Sequence, residues 1–224
     1  MSNLVVKTES LAAYNTLSRG FIAPPPGKLY LLCGDPAVFR ISLALASRAL
    51  LGGTSIAIID GCNRFDAHSI AHFARERKID PQRLLNRIHI SRGFTCYQME
   101  AAVNSKLIPF LKRIDAHTAL IFGLLDTFYD EQARFQEVRQ ILRRIMEKLH
   151  EMKSTGISVL LVSQEYNVRP TERNQLMAAL KRGMDQVYRV EMNEEQKPKL
   201  FLEDRSEMLS SGNMKLPSKQ LMIP

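Results

Sequence analysis

Short apolar runs alternate with longer segments of helical spacing along most of the chain. Apolar runs of strand length are "KLYLLCG", "GGTSIAIID", "RIHISRG", "TALIFGLL" and "ISVLLVSQ". The segments between them, such as "ISLALASRALL" and "FQEVRQILRRIMEKLHEM", repeat apolar residues every three or four positions, which predicts helices. Because the central strands are apolar throughout, they predict a mainly parallel sheet covered by helices on both faces. The fold class is therefore α/β, with three αβα layers.

The pattern also predicts how the chain is divided. The segments "QVYRVEMN" and "KPKLFLED" predict a C-terminal β-hairpin. Residues 1–20 form an N-terminal segment with a short amphipathic helix, and residues 21–204 form one core domain. Residues 205–224 show no hydrophobic period and are expected to be a mobile tail. A chain of 224 residues suits one well-packed domain better than two.

Composition adds a bias toward acidic partners. The formal charge is +8 and the pI is about 9.5, which favours nucleic acid first and an anionic membrane surface second. The apolar runs are too short to span a bilayer, so no membrane insertion is expected. Three cysteines without metal-ligand spacing predict reduced thiols and a cytoplasmic protein, associated with the nucleoid if it binds DNA. His68 and His72 have no evident third ligand, so no metal site is predicted.

Ligands of such sheets bind beyond the carboxyl ends of the strands. Residues 33–42, 60–66, 122–130 and 163–173 are therefore expected to converge at one edge. The first of these stretches contains "GDPAVFRIS", in the strand–turn–helix setting of a phosphate-binding loop. Phe39, Arg40 and Ile41 stand where such a loop has its glycine, its lysine and its magnesium-binding hydroxyl. The spacing alone does not identify a phosphate loop.

The order of the segments resembles the RecA/RadA recombinase superfamily from roughly Phe21 to Asp204. "GKLYLLCGDPAVFRISLALASRALLGGTSIAIID" is similar to the first strand, phosphate loop, helix and second strand of that family, and "LLNRIHISRGFTCYQMEAAV" to its third strand and following helix. "ALIFGLLDTFYDE" and "ISVLLVSQEYN" resemble the acid-bearing and phosphate-sensing strands. The resemblance implies a RecA-like P-loop NTPase fold whose Walker A and Walker B motifs are degenerate.

The departures from the family pattern all fall on its chemistry. Gly123 stands where the family has its magnesium-binding acid, and Cys62 stands where it has its water-activating glutamate, with Asp60 and Asp126 nearby. The resemblance thus implies a vestigial nucleotide site and no catalytic residue; the implied nucleotide-site residues are Gly34, Arg40, Ser42 and Gln164. No cofactor is expected, and ATP with Mg²⁺ would bind only if the loop were remodelled to bring Ser42 to the phosphates. Gln164 serves equally well as a phosphate sensor or as a strand-end amide bonded to backbone.

The family contacts single-stranded DNA through loops at this edge of the sheet. Here the stretch "EYNVRPTERNQLMAALKRG" supplies one aromatic and several cationic candidates. These DNA-binding candidates are Tyr166, Arg169, Arg173, Lys181 and Arg182. The competing interpretation is a solvated basic loop without a ligand.

Three hypotheses about function follow. The first is a non-catalytic RecA-like protein that binds DNA, chiefly single-stranded, or a recombinase paralogue, in recombination, repair or its regulation. The second is an active or weakly active ATPase with an unusual loop, and the third is an interaction scaffold that binds neither nucleotide nor DNA. A homo-oligomer is compatible with the first, since the family docks an apolar N-terminal anchor on a neighbour. Phe21 is the candidate anchor here, although packing on its own sheet is the simpler expectation.

Overall fold

A computed structural model describes residues 2–22, 27–129, 133–169 and 171–203. Its strands form one seven-stranded sheet in the order β3-β2-β4-β5-β1-β6-β7. The strands are β1 (Leu29–Gly34), β2 (Ile56–Asp60), β3 (Ile88–Arg92), β4 (Thr118–Phe122), β5 (Ser158–Gln164), β6 (Gln186–Met192) and β7 (Pro198–Leu202). Neighbours from β3 to β6 run parallel, and β7 returns antiparallel to β6. The predicted α/β class, parallel sheet and terminal hairpin are confirmed.

Helices cover both faces of this sheet. The described α-helices are α1 (Ser2–Ile22), α2 (Ala37–Leu51), α3 (Ala67–Glu76), α4 (Pro81–Leu85), α5 (Cys96–Ala101), α6 (Ile108–Arg113), α7 (Phe135–Ser154) and α8 (Gln175–Arg182). One apolar core lies between the sheet and α1 to α4, and the other lies between the sheet and α5 to α8. Strand β1 supplies both cores, because Tyr30 and Leu32 face one and Leu31 and Cys33 face the other.

Local sequence signals explain where several helices begin and end. The Thr95 side chain accepts a hydrogen bond from the Gln98 N–H and caps α5, as the spacing of these two residues predicts. Gly156, at a φ of +87°, follows the end of α7, in the backbone conformation that glycine adopts most easily after a helix. A π-helical segment, Ala102–Leu107, separates α5 from α6. Pro109 lies just beyond that segment and has no amide hydrogen to continue a regular α-helical ladder.

The N-terminal helix α1 is longer than expected and crosses the boundary placed after residue 20. Leu17 and Phe21 are fully buried, and the Phe21 ring lies edge-on to Tyr30 at 6.5 Å between centroids. Phe21 thus packs on its own sheet. The expected tail, residues 205–224, lies outside the described residues. None of the helices in the described ranges is long and apolar enough to cross a bilayer.

Candidate functional site

The carboxyl ends of the central strands meet at one edge of the sheet, as expected. Gly34 at the end of β1 is in register with Gln164 at the end of β5, and Asp60 of β2 is in register with Phe122 of β4. In a parallel sheet this edge is where a ligand finds exposed backbone groups and helix N-termini. A ligand can bind here only through those backbone groups that are not already hydrogen-bonded within the protein.

The turn from β1 to α2 is short and closed. Only Asp35 and Pro36 separate the strand from the helix. The Ala37 N–H donates to Asp35 Oδ1 (2.9 Å), the Val38 N–H to Asp35 O (3.0 Å) and the Phe39 N–H to Pro36 O (3.3 Å). The first amides of α2, which a phosphate would need, are therefore already bonded within the chain. The Asp35 carboxylate also places a negative charge where the phosphate would bring its own. We call residues 34–39 the closed turn.

Gly34 is required here by its neighbouring strand. Its φ is +118°, and a Cβ atom at this position would lie 2.2 Å from the carbonyl oxygen of Val190 in β6. The same carbonyl accepts the Asp35 N–H at 2.9 Å. Glycine therefore allows β6 to approach the turn, and its presence does not by itself indicate a phosphate cradle.

The other residues of the implied nucleotide site do not gather at the turn. Phe39 is buried and packs edge-on against Phe122, with 5.7 Å between ring centroids. Arg40 is exposed on α2. Ser42 is fully buried and its hydroxyl donates to Phe39 O at 2.7 Å, so its use as a magnesium ligand would still require the loop to be remodelled. Of the four candidates, the structure brings together only Gly34 and Gln164.

The carboxylate of Asp60, at the end of β2, is bonded to backbone N–H groups. Asp60 is 1% exposed and its carboxylate accepts the N–H groups of Cys62, Arg64 and Phe65, which leaves it no position for activating a water. At Gly123, whose φ is +59°, a Cβ atom would lie 2.4 Å from the Cβ of Cys62. The absent magnesium acid thus has no room in this packing. Burial, followed by the charge of Asp126, raises the pKa of the Cys62 thiol, so the thiol stays protonated.

Asp126 is held by aromatic neighbours. The Tyr166 hydroxyl donates to Asp126 Oδ1 at 2.9 Å, and the Tyr166 ring lies edge-on to Tyr129 at 5.6 Å. Burial raises the pKa of the Asp126 carboxyl, and the hydrogen bond from Tyr166 only partly offsets this effect. Within the described ranges, no group of three or more His, Cys, Asp and Glu side chains is arranged to hold a metal ion.

Four charged side chains interlock beside the end of β5. We call Glu165, Lys181, Arg189 and Glu203 the ionic quartet. Lys181 Nζ lies 2.7 Å from Glu165 Oε1 and 3.0 Å from Glu203 Oε1, and Arg189 contacts the same two carboxylates at 2.8 and 2.7 Å. Burial opposes ionisation of Glu203, but the two cations outweigh it and lower the pKa of its carboxyl. The quartet ties β5, α8, β6 and the residue after β7 into one unit.

The side chains of two DNA-binding candidates, Arg173 and Lys181, are bonded within the protein. Arg173 is only 3% exposed, and its guanidinium donates to the carbonyls of Phe128 and Ala133. Lys181 is committed to the ionic quartet with 14% of its side chain exposed. In this structure neither cation is a free surface charge, because Arg173 is bonded to two carbonyls and Lys181 to two carboxylates, so the geometry does not favour their predicted role in DNA binding. Arg169 and Arg182 are exposed, and Tyr166 is 39% exposed with its hydroxyl engaged.

A groove on the opposite flank of the sheet was not predicted. It has a volume of about 600 Å³ and lies between β2 and β3 on one side and the π-helical segment and α6 on the other. Phe110 forms part of its wall, with its ring edge-on to His89 at 5.3 Å between centroids. Ile90 is 42% exposed at its margin. We call this the β3 groove.

The edge of β3 next to this groove is open. The Ile56 N–H of β2 donates to Arg87 O, and the Gly93 N–H donates to Asp60 O of β2. The backbone groups of Arg87 and Gly93, at the two ends of β3, therefore point toward β2. Because alternate residues of a strand point to alternate edges, Ile88, Ile90 and Arg92 direct their N–H and C=O groups outward. None of the described strands pairs with that edge.

No known protein-family model matches the chain, and no curated protein matches its sequence. One signal for the β3 groove is present in the sequence. The "IHISR" run of β3 places polar residues at alternate positions, which is typical of a strand that is covered incompletely.

Proposed function

We propose that this chain is a non-catalytic RecA-like protein that acts by binding a recombinase or another protein of that pathway, in DNA recombination, repair or its regulation. The observation that carries the proposal is the closed turn. Phosphoryl transfer depends on a positioned triphosphate, a metal ion and an oriented nucleophile. At this edge the first amides of α2 are bonded internally, Asp60 is bonded to three N–H groups, and a side chain at Gly123 is sterically excluded.

A protein partner is favoured over DNA. With Arg173 and Lys181 bonded internally, the expected DNA loop keeps two exposed cations, Arg169 and Arg182. The β3 groove, by contrast, offers an apolar wall and an open strand edge, which are the two elements of strand addition by an extended segment. The resemblance implies docking of an apolar anchor on a neighbour, and this groove is a suitable receptor for one. We expect such a protein in the cytoplasm.

DNA binding remains the second candidate because the chain carries a formal charge of +8 and keeps those two exposed arginines. If it operates, affinity for single-stranded DNA falls steeply as salt rises. The double charge reversal Arg169→Glu with Arg182→Glu should then weaken binding. Its matched control is Arg75→Glu with Arg83→Glu, an equal charge change on exposed positions of α3 and α4.

The decisive experiment titrates ATP with Mg²⁺ into the purified chain by calorimetry, with a parallel assay of phosphate release. The proposal predicts no saturable heat and no phosphate release above the blank, while an active recombinase under the same conditions gives both. Metal-dependent turnover that is abolished by Arg40→Ala would overturn the non-catalytic part.

A separate experiment addresses the partner. Sedimentation velocity of the chain mixed with the recombinase of the same organism should show a complex, and a single-stranded oligonucleotide should not be required for it. A complex that forms with oligonucleotide alone would favour the DNA candidate. Absence of both complexes would support the scaffold hypothesis.

A further inference from the structure

Helices α1 and α2 end with the same pattern of side chains. Each has an arginine in its last turn and an exposed apolar residue three positions later, at the end of the helix. These pairs are Arg19 with Ile22 in α1 and Arg48 with Leu51 in α2. Ile22 is 38% exposed and Leu51 is 41% exposed. Residues three apart on a helix share one side, so each helix end presents a cation next to an apolar side chain.

Both helix ends lie at the edge of the sheet where the parallel strands begin, which we call the amino edge. Phe21 of α1 packs on Tyr30, the second residue of β1. The Arg87 side chain, which comes just before β3, donates to the carbonyl oxygen of Leu50 in α2 at 3.4 Å. The amino edge is opposite to the edge that carries the closed turn.

The end of α3 adds two more cations. The Arg77 guanidinium lies 3.7 Å from the centroid of the Phe73 ring and donates to Phe73 O, and Lys78 beside it is exposed. Arg48 lies 4.8 Å from the centroid of the Tyr14 ring. Burial raises the pKa of the Tyr14 phenol, and the charges of Arg48 and Arg77 both oppose that rise, so the ends of α2 and α3 are neighbours. We call the following residues the amino-edge patch: Arg19, Ile22, Arg48, Leu51, Arg77 and Lys78.

Positive charge prevails around this patch. The stretch from Arg75 to Arg87 contains five arginine and lysine residues and two acids. Of these acids, Asp80 caps α4, and Glu76 lies 3.6 Å from Arg77. Helix C-termini attract cations, which accounts for part of the positive charge. It does not account for the exposed apolar side chains that accompany the cations.

From this arrangement we infer that the amino-edge patch binds the surface of an anionic lipid bilayer. Ile22 and Leu51 enter the boundary between headgroups and acyl chains, and the cations of the patch contact the lipid phosphates. Long cationic side chains reach the phosphates while their apolar stems stay beside the inserted residues. The inference goes beyond the proposed binding of a protein partner and does not depend on it.

Two other classes of partner fit the patch less well. A nucleic acid backbone satisfies the cations but offers no apolar surface to Ile22 and Leu51. A protein interface gains most of its energy from a contiguous apolar centre, whereas here each apolar side chain stands at the end of a separate helix, one turn after a cation. A fluid headgroup layer accommodates apolar side chains that are separated by charge.

The first test is vesicle flotation with the full chain. One set of vesicles is phosphatidylcholine alone, and the other contains about 30 mol% phosphatidylglycerol. At about 50 mM salt, affinity for the anionic vesicles should exceed that for the neutral ones at least about tenfold. Raising the salt to about 500 mM should remove most of this difference, because it screens the lipid charge.

Paired variants separate the charged and the apolar contributions. Arg48→Glu with Lys78→Glu should weaken binding to anionic vesicles at least about tenfold. Its control is Arg134→Glu with Arg139→Glu, an equal charge change on exposed positions at the start of α7, and should change affinity less than about twofold.

Ile22→Gln with Leu51→Gln should weaken binding at least about fivefold, because the inserted apolar surface is lost. Phe94→Gln with Met192→Gln alters two residues that are also exposed but lie at the other edge of the sheet, and should leave affinity unchanged. Urea midpoints confirm that each variant is folded.

A second readout does not depend on affinity. The chain contains no tryptophan, so Leu51→Trp places a single indole in the patch. Phe94→Trp places one just after β3, where the native side chain is 68% exposed. Anionic vesicles should shift the emission of the first variant to shorter wavelength and protect it from acrylamide. They should leave the emission of the second unchanged, because an indole prefers the bilayer interface only where it can reach it.

The remaining outcomes would overturn the inference. Equal binding to neutral and anionic vesicles would contradict it, and so would an unchanged emission of Leu51→Trp on bound vesicles. If vesicles do not bind but Arg48→Glu with Lys78→Glu abolishes binding of an oligonucleotide, the patch belongs to nucleic acid. If vesicles do not bind but Ile22→Gln with Leu51→Gln abolishes the recombinase complex, the patch belongs to a protein partner.

Discussion

The closed turn and the β3 groove occupy the same sheet and contrast in what their polar groups do. At the closed turn, the amides of Ala37, Val38 and Phe39 are all bonded within the chain. At the β3 groove, a row of backbone groups and two cations, Lys106 and Arg113, are directed outward. A surface binds through groups that it has not already satisfied. The place where the fold class would put a ligand is therefore the less available of the two.

This contrast separates stability from binding. Groups at the closed turn and the ionic quartet stabilise the native state, so changes there should shift the unfolding midpoint. Groups on the rim of the groove are exposed, so changes there should shift affinity with little effect on stability. Variants at the two places therefore test this separation.

The largest expected effect is at Gly34. Gly34→Ala puts a Cβ atom against the Val190 carbonyl at a φ of +118°, so either β6 or the turn must move. We expect a loss of about 3 to 4 kcal/mol in the free energy of unfolding, measured by urea denaturation. Gly52→Ala, at a φ of −69°, is the control and should cost less than about 1 kcal/mol. A loss below about 1 kcal/mol at Gly34 would show that the turn is not tightly packed.

Lys181→Met should have the next largest effect. It leaves Glu165 and Glu203 facing each other across Arg189 alone, in a partly desolvated site. Losing one partner from a buried ionic cluster costs about 2 to 3 kcal/mol after allowance for its partial exposure. The same substitution at exposed Lys112 should cost less than about 0.5 kcal/mol. Equal midpoints for the two variants would mean that the quartet contributes nothing to stability.

A pair of variants within one loop tests the distinction between a structural and a surface arginine. Arg173→Met removes the donors to the Phe128 and Ala133 carbonyls and should lower the free energy of unfolding by about 2 kcal/mol. Arg169→Met, on the surface, should change it by less than about 0.5 kcal/mol. If instead Arg173→Met weakened DNA binding at unchanged stability, Arg173 would act at the surface after all.

The smallest expected effect is a pH dependence at Asp126. A carboxyl with a raised pKa keeps its proton in the native state at a pH where the unfolded chain has lost it. Its contribution therefore favours the native state at low pH and is lost as pH rises from about 3.8 through the raised pKa. Asp126→Asn removes this term, so the variant should gain stability relative to the parent between pH 4 and pH 7 in urea titrations. A relative stability that is independent of pH would contradict the burial of Asp126.

Much of the fold could be predicted because hydrophobic period and capping chemistry act locally. The five apolar runs predicted five of the six parallel strands, β1 to β5, and the spacing of Thr95 and Gln98 predicted the start of α5. The candidate site was harder to predict from the sequence, because the identity of an arginine or lysine does not show whether its side chain points to solvent or into the protein. Arg173 and Lys181 look alike in sequence to Arg169, yet only tertiary contacts with Phe128, Ala133 and Glu203 turn them inward. The convergence of the strand ends at one edge of the sheet followed from the fold class, while the closure of the turn depended on Asp35 and on β6.

The ionic quartet has a consequence for where this protein can be shortened. Its last member, Glu203, lies just after the final strand and next to Arg189 and Lys181. A nonsense codon or a protease cut before residue 203 would remove one of two anions from a site that holds two cations. The damage would appear far from the cut in sequence, at Glu165 just after the end of β5, so the residue after this edge strand supports a part of the fold three strands away.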